Sequence, residues 1–165
     1  MTGVQTCALP ICGSTEFVFG HRSVEAAKSV NIGCVRMTER HFVNDPASKL
    51  EIEAARIDIK RAIADAAEVV NIKAAKSLIA VAGTATTVAA AALKLESYDR
   101  YAIHLSRISA EQAHQASEMF LHMNRAERAA LGYMHPGRVD VIGAGSLVLS
   151  EIIKASGVSE FIASE

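Results

Sequence analysis

An α/β domain, a mixed sheet flanked by helices, is the fold class that the sequence predicts. Three observations point to it. Short β-prone runs stand near both ends of the chain, with longer stretches of helical spacing between them. Ser-x-x-Glu and Ser-x-x-Gln pairs precede those stretches, as at helix N-termini. The apolar half of the chain is mostly Ala, Val, Ile and Leu, with no Trp, a balance suited to helices packed on a small sheet. A length of 165 residues is one domain's worth, or a large piece of a bigger protein.

Taken in order, Ser14–Glu39 reads as sheet. "TEFVFGH" is rich in Phe and Val, and "SVEAAKSVNIGCVRMTE" holds two short runs broken at the turn signal around Gly33. Three antiparallel strands are expected, closed off by Asp45-Pro46. Ser48 and Glu51 then have capping-box spacing. Ile52, Ala55, Ile59, Ala62, Ile63, Ala66 and Val70 recur at helical spacing and predict one buried face. Glu53, Arg56, Lys60, Arg61 and Asp65 fill the other face and read as solvated surface.

"SLIAVAGTATTVAAAALKL" reads as strand, turn and helix: strand Leu78–Ala82, turn Gly83-Thr84, helix Thr86–Leu95. Ser109 and Gln112 offer a second capping box for a helix to about Met123, and Asn124 and Glu127 cap a short one ending near Gly132. "HPGRVDVIGAGSLVLSEIIKASG" is apolar almost all round, so a long buried helix is expected, with Gly157 at its C′ position. "VSEFIASE" reads as a last strand. Three strands, helix, strand, helices and strand fit half of a ribonuclease-H-like, actin-type fold.

A net charge of −1 argues against bulk electrostatic attraction to DNA or to an anionic membrane. The longest apolar run, Leu78–Leu93, is too short to span a bilayer and carries Gly83 and three threonines. No basic region precedes "CALPIC", so no secretory signal is expected. Of Cys7, Cys12 and Cys34, the last reads as a lone buried thiol. A reducing, cytoplasmic setting fits.

Residues 1–12, "MTGVQTCALPIC", show neither helical periodicity nor strand alternation. Through Ile11 they closely resemble the in-frame translation of a common sequencing-adapter oligonucleotide, with Cys12 as a junction codon. The alternative is an ordinary N-terminal tail. On the adapter reading the genuine chain starts near Gly13 and is a fragment of a longer protein.

Three stretches carry candidate chemistry. In "GSTEFVFG", a small-residue turn feeding a strand exposes backbone N–H groups to a phosphate. Ser14 and Thr15 add hydroxyls, and Glu16 adds a carboxylate for a metal or a water. On their own these residues read first as a hairpin turn with a surface Glu. In "VAGTATT", Gly83 lets a ligand approach the backbone, and the next helix points its N-terminus there. A tight turn with no ligand reads equally. In "GAG", Gly143–Gly145, glycine inside a helix costs about 1 kcal/mol relative to Ala. Close helix packing explains it first, and approach to a nucleotide or phosphate chain second. The six histidines show no metal-ligand spacing, and His114 and His122 read as helix-surface residues. Arg36 and Arg40 have two uses open to them, phosphate contact or strand-end salt bridges.

Together these stretches resemble the Ppx/GppA phosphatase family, the exopolyphosphatases and guanosine pentaphosphate phosphohydrolases. "GSTEFVFG" is similar to the end of its second phosphate loop, D-[IVL]-G-G-G-S-T-E. "GCVRMTERHF" resembles its G-x-V-R-[LM]-T-E segment, "AGTATT" its A-G-T-x-T-T turn, and "PGRVDVIGAGSLVL" its P-x-R-x-D-[VI]-I-x-x-G helix. The final "ASE" looks like the segment before its last helix. The likeness runs from Gly13 to Glu165, with four words in order.

The resemblance implies the actin-like ATPase superfamily fold, with catalysis in a cleft between two domains and Mg²⁺-dependent hydrolysis of terminal phosphoanhydride bonds. Residues 13–165 would be the second domain, incomplete at both ends. Gly13, Ser14 and Thr15 would hold phosphate oxygens, Glu16 would bind the metal or the attacking water, and Gly83 and Thr84 would line the opposite rim. The family's leading Asp would fall at Leu9, and its first two loop glycines at Ile11 and Cys12. The first domain, with its own phosphate loop and the glutamate expected to act as general base, would lie outside this sequence, as would the last helix. The parent is expected to hydrolyse polyphosphate or guanosine pentaphosphate, and this chain alone to be inactive. Its partners would be that substrate and the missing domain, with a homodimer left open. Two other readings stay open. A small-molecule kinase of the same fold would bind ATP in this half. A regulatory or oligomerisation module would dimerise with no response to Glu16→Ala.

Overall fold

The computed structural model describes residues 5–10 by their backbone and residues 13–165 in full. One six-stranded mixed sheet organises them. Its strands are β1 (Gln5–Pro10), β2 (Thr15–Gly20), β3 (Val24–Val30), β4 (Ser77–Val81), β5 (Arg107–Ser109) and β6 (Glu160–Ser164), in the spatial order β3-β2-β1-β4-β6-β5. β1, β4 and β6 run parallel, while β2, β3 and β5 are antiparallel to their neighbours. Alternation sorts the faces. Thr15 and Phe17, Leu78 and Ala80, and Phe161 and Ala163 are buried, whereas Glu16, Val18, Ile79 and Ile162 between them are half-buried.

The helices are α1 (Cys34–His41), α2 (Lys49–Ala67), α3 (Ala82–Ala92), α4 (Arg100–Ile103), α5 (Ala110–His122), α6 (Arg125–Ala129) and α7 (Ile142–Ser156). The expected long helix is α7, but it begins at Ile142 rather than at His135, after a separate 3-10 turn at Pro136–Arg138. It is buried along nearly its whole length, packs on α1, α2, α3 and α5, and ends at Gly157 with φ of 71°. The α2 face predicted from spacing buries Ala55, Ile59, Ile63 and Ala66, with Val70 just beyond. Arg56 departs from the expected solvated face. Its guanidinium reaches the buried carboxylate of Glu151 on α7. His114 also departs, because its Nδ1 meets Ser150 Oγ at 2.8 Å between α5 and α7.

The three antiparallel strands exist, but their membership differs from the sequence reading. They are β1, β2 and β3, whereas "CVRMTERH" is helix α1. Cys34 and Met37 are buried three residues apart, and Thr38 Oγ1 donates to the Cys34 carbonyl at 2.8 Å. Eight residues are too few for periodicity to separate this from a strand. Residues 5–10, which show no strand alternation, form a central strand because backbone pairing to β2 and β4 on both sides defines it. The turn expected at Gly83-Thr84 is instead the first turn of α3. The reversal occurs at Ala82, whose φ is 71°.

All three predicted capping boxes form. At α2, Glu51 accepts the N–H groups of Ser48 (2.6 Å), Val43 (2.8 Å) and Asn44 (3.0 Å). Those donors, Ser48 and Val43 foremost, lower its pKa from 4.5 to about 2. A carboxylate depressed in the folded state stabilises the fold above its unfolded pKa, and that contribution disappears as pH falls through the folded value. Glu51→Gln is therefore expected to flatten the loss of stability between pH 4.5 and about 2. Urea titrations across that window check it, and an unchanged slope would assign the acid sensitivity elsewhere.

Candidate active site

The carboxyl ends of the parallel strands and the start of β2 share one edge of the sheet. The register sets Pro10 opposite Thr15 and Leu9 opposite Glu16, while β1 and β6 flank β4, whose last residue Val81 leads into α3. Ligands in open α/β sheets bind outside such carboxyl ends. The structure thus brings the two stretches singled out by sequence, Gly13–Glu16 and Gly83–Thr84, to the same edge.

Glu16 is the best-defined group there. Ser14 Oγ donates to its Oε1 at 2.6 Å, and Ser29 Oγ, opposite it on β3, donates to the same oxygen at 3.0 Å. Its Oε2 is buried and has no hydrogen-bond partner. A carboxylate oriented through one oxygen, with the other buried and unsatisfied, is a position for a cation or a bound water.

Thr15 behaves differently from the sequence reading of its hydroxyl. Its side chain is buried on the core face, and Oγ1 donates to the Ile32 carbonyl at 3.2 Å. That bond ties the start of β2 to the entry of α1. Thr84 is also buried, with its side chain against α7, so its backbone N–H is what it offers to the edge. The N–H groups of the first turn of α3 lack intrahelical acceptors, and the helix dipole favours an anion beside them.

Gly145 explains how these pieces converge. A Cβ on it would lie 2.8 Å from Thr84 Oγ1 and 2.9 Å from Cys34 Cβ. Only a glycine at position 145 of α7 lets the first turns of α1 and α3 both close on it, so close helix packing accounts for Gly145, whereas a Cβ at Gly143 would make ordinary contacts at 3.7 Å. The packed groups support the candidate site from behind.

Sequence reasoning missed Arg138. Its guanidinium lies flat on Gly83, where a Cβ would stand 2.1–2.3 Å from Nε, Cζ and Nη2. Nη1 donates to Thr87 Oγ1 at 3.3 Å. The Arg of "PGRVD" was visible, but nothing in the chain's order shows that the fold brings it onto Gly83, 55 positions earlier. Tyr98 lies nearby. Burial, together with its hydrogen bond to the Glu165 carboxylate, pushes its pKa up, against the charge of Arg138.

A Mg²⁺ ion takes few carboxylates and completes its shell with water and substrate phosphate. Among the described residues no group of three or more His, Cys, Asp or Glu is placed to hold a metal. The single carboxylate of Glu16, with its orphaned oxygen, fits that sparse donor set. No helix among the described residues is long and apolar enough to cross a membrane.

Comparison with known proteins agrees with this geometry. The model of the Ppx/GppA phosphatase family matches residues 7–165. Exopolyphosphatase 2 of Mycobacterium tuberculosis is 39% identical over 157 residues, 93% of this chain and 49% of that protein. A bifunctional 3-dehydroquinate synthase/phosphatase of Fusobacterium nucleatum is 36% identical over 157 residues, 23% of its length. Among solved structures, an exopolyphosphatase-like protein superposes with a TM-score of 0.95 at 36% identity, over all of this chain and 56% of its own. The Aquifex aeolicus Ppx/GppA phosphatase superposes at 0.89 with 24% identity, over 54% of its chain, and shares the fold. The chain thus spans about half the length, or less, of the curated relatives it matches. On the family match and these likenesses together, it belongs to the Ppx/GppA phosphatase family.

Proposed function

We propose that residues 13–165 are the second actin-like domain of a Mg²⁺-dependent hydrolase that releases terminal phosphate from inorganic polyphosphate. Glu16 carries the proposal. Two serine hydroxyls orient its carboxylate through Oε1, while Oε2 is buried and unpartnered at the carboxyl edge of the sheet. The likeness to an exopolyphosphatase at 39% identity supports polyphosphate as the substrate. The proposal includes a first domain facing this edge, a cytoplasmic location, and native loop residues, including an Asp at position 9, where Met1–Cys12 now stands.

Each part has a role in phosphoryl transfer, which needs positioning and charge neutralisation more than covalent help. Backbone N–H groups of Gly13 to Thr15, and those of Gly83 and Thr84 at the start of α3, would bind phosphate oxygens from two sides. Ser14 and Ser29 hold the Glu16 carboxylate, so Oε2 orients a water or a cation with little reorganisation. Mg²⁺, when bound, supplies charge neutralisation at the phosphates.

The test is to recover the full-length parent, with its native residues ahead of Gly13, and assay orthophosphate release. Release from polyphosphate, with none from this chain alone, is expected. Release from guanosine pentaphosphate only would move the substrate assignment to the nucleotide. ATP binding without polyphosphate turnover would place the protein among the kinases.

A further inference from the structure

We infer that Arg36 is a substrate-binding residue of this site, a cationic contact to the phosphate held at the Gly13 loop. The inference rests on the phosphoanhydride reading above. Helix α1 carries Arg36 over Gly13. A Cβ on that glycine would lie 3.5 Å from Arg36 Nη2 and 3.9 Å from Nε. An anion reaching the loop N–H groups at Gly13 therefore meets a guanidinium already in place. The planar fork of Arg suits non-bridging phosphate oxygens, which it takes two at a time.

The charge is available as well as near. Arg36 is exposed and makes no hydrogen bond or ion pair with any described residue. Glu16, three residues beyond Gly13, forms no ion pair with it: Oε1 accepts from Ser14 and Ser29, and Oε2 has no hydrogen-bond partner. The other arginine of the same helix behaves oppositely. Arg40 pairs with Asp58, which also takes His41 Nε2 at 2.9 Å. One of the two arginines left open by the sequence therefore serves a salt bridge, and the other remains for a ligand.

The placement is held from below. The Thr15 bond to the Ile32 carbonyl and the contact of Cys34 with Gly145 anchor the first turn of α1. Met37, the next residue after Arg36, is fully buried. Arg36 is thus presented from a backbone that the core fixes, with only its side chain left to move.

Steady-state kinetics on the full-length parent with inorganic tripolyphosphate test the inference. Arg36→Ala is expected to raise KM about 10- to 100-fold, the range for one hydrogen-bonded contact to a charged group. The kcat is expected to change far less, and the rise of KM with ionic strength to become shallower. Arg36→Lys should recover part of the affinity, and Arg40→Ala should leave KM within about twofold. Should Arg36→Ala also lower the thermal midpoint, Arg36→Gln, which keeps the first three carbons of the stem and a polar but uncharged end, carries the comparison. A KM unchanged by both variants, in an enzyme that Glu16→Gln inactivates, overturns the inference and leaves the hydrolase reading standing. A wild-type parent that releases no phosphate from tripolyphosphate, longer polyphosphate or guanosine pentaphosphate overturns both.

Discussion

Glu16→Gln in the full-length parent is expected to lower kcat/KM for polyphosphate by about 10²–10⁴-fold, the range for a group that orients or deprotonates an attacking water. Gln keeps the length of the side chain and an oxygen for the Ser14 and Ser29 hydroxyls, so the loop should stay where it is. What changes is the charge and the second, buried oxygen. The loss should therefore fall mainly on kcat, with the thermal midpoint little altered. Ser14→Ala and Ser29→Ala leave the charge and remove one orienting bond each, so each should cost much less than the loss of the carboxylate. A kcat/KM within threefold of wild type for Glu16→Gln would remove Glu16 from the chemistry. The site would then have to be sought at Arg138 and Gly83. The contrast with Arg36, whose loss should appear in KM, separates the group that acts on water from the one that holds phosphate.

The features legible in the sequence were those set by local rules. Ser48 with Glu51, Ser109 with Gln112, and Asn124 with Glu127 need only three-residue spacing, and all three boxes form. The burial of α7 follows from a stretch apolar on every side. Gly157 was readable because few other residues enter the left-handed region so easily. Features set by tertiary contact were not legible. α1 was read as a strand because eight residues hold barely two turns, and its helical character shows in what Cys34 and Met37 pack against. β1 has no alternation because its identity comes from neighbours on both sides. Within the site, the words containing Gly13–Glu16 and Gly83–Thr84 were found, but not the direction of their side chains. Thr15 faces inward to Ile32, a consequence of strand parity once Glu16 faces the edge. The placing of Arg36 on Gly13 and Arg138 on Gly83 depends on how helices and turns distant in sequence pack.

Arg128→Met is expected to destabilise the domain by about 3–5 kcal/mol, since it leaves buried acceptors without donors. The guanidinium is buried between the end of α5 and the turn at Val139 that leads into α7. Nε donates to the Val139 carbonyl at 2.8 Å, Nη1 to the Met123 carbonyl at 2.7 Å, and Nη2 to Asp45 Oδ1 at 2.7 Å. Met fills much of the volume but offers no donor, so the Val139 and Met123 carbonyls lose their partner where little water can replace it. Asp45→Asn removes the charge of the pair and leaves one oxygen for the two donors that Asp45 accepts, Arg128 Nη2 and the Arg125 N–H; with the carboxylate nearly half exposed, it should cost about 1 kcal/mol. Chemical denaturation of the two variants separates these contributions, and equal midpoints would show that the carbonyl bonds contribute little. The consequence reaches the site, because the Val139 carbonyl that Arg128 holds belongs to the residue after Arg138. Loosening that turn would release the guanidinium from Gly83 and Thr87. A domain destabilised at this corner should therefore bind phosphate less well even where it remains folded. Binding should fall further for Arg128→Met than for a core substitution of equal stability cost elsewhere, such as Ile59→Ala on α2.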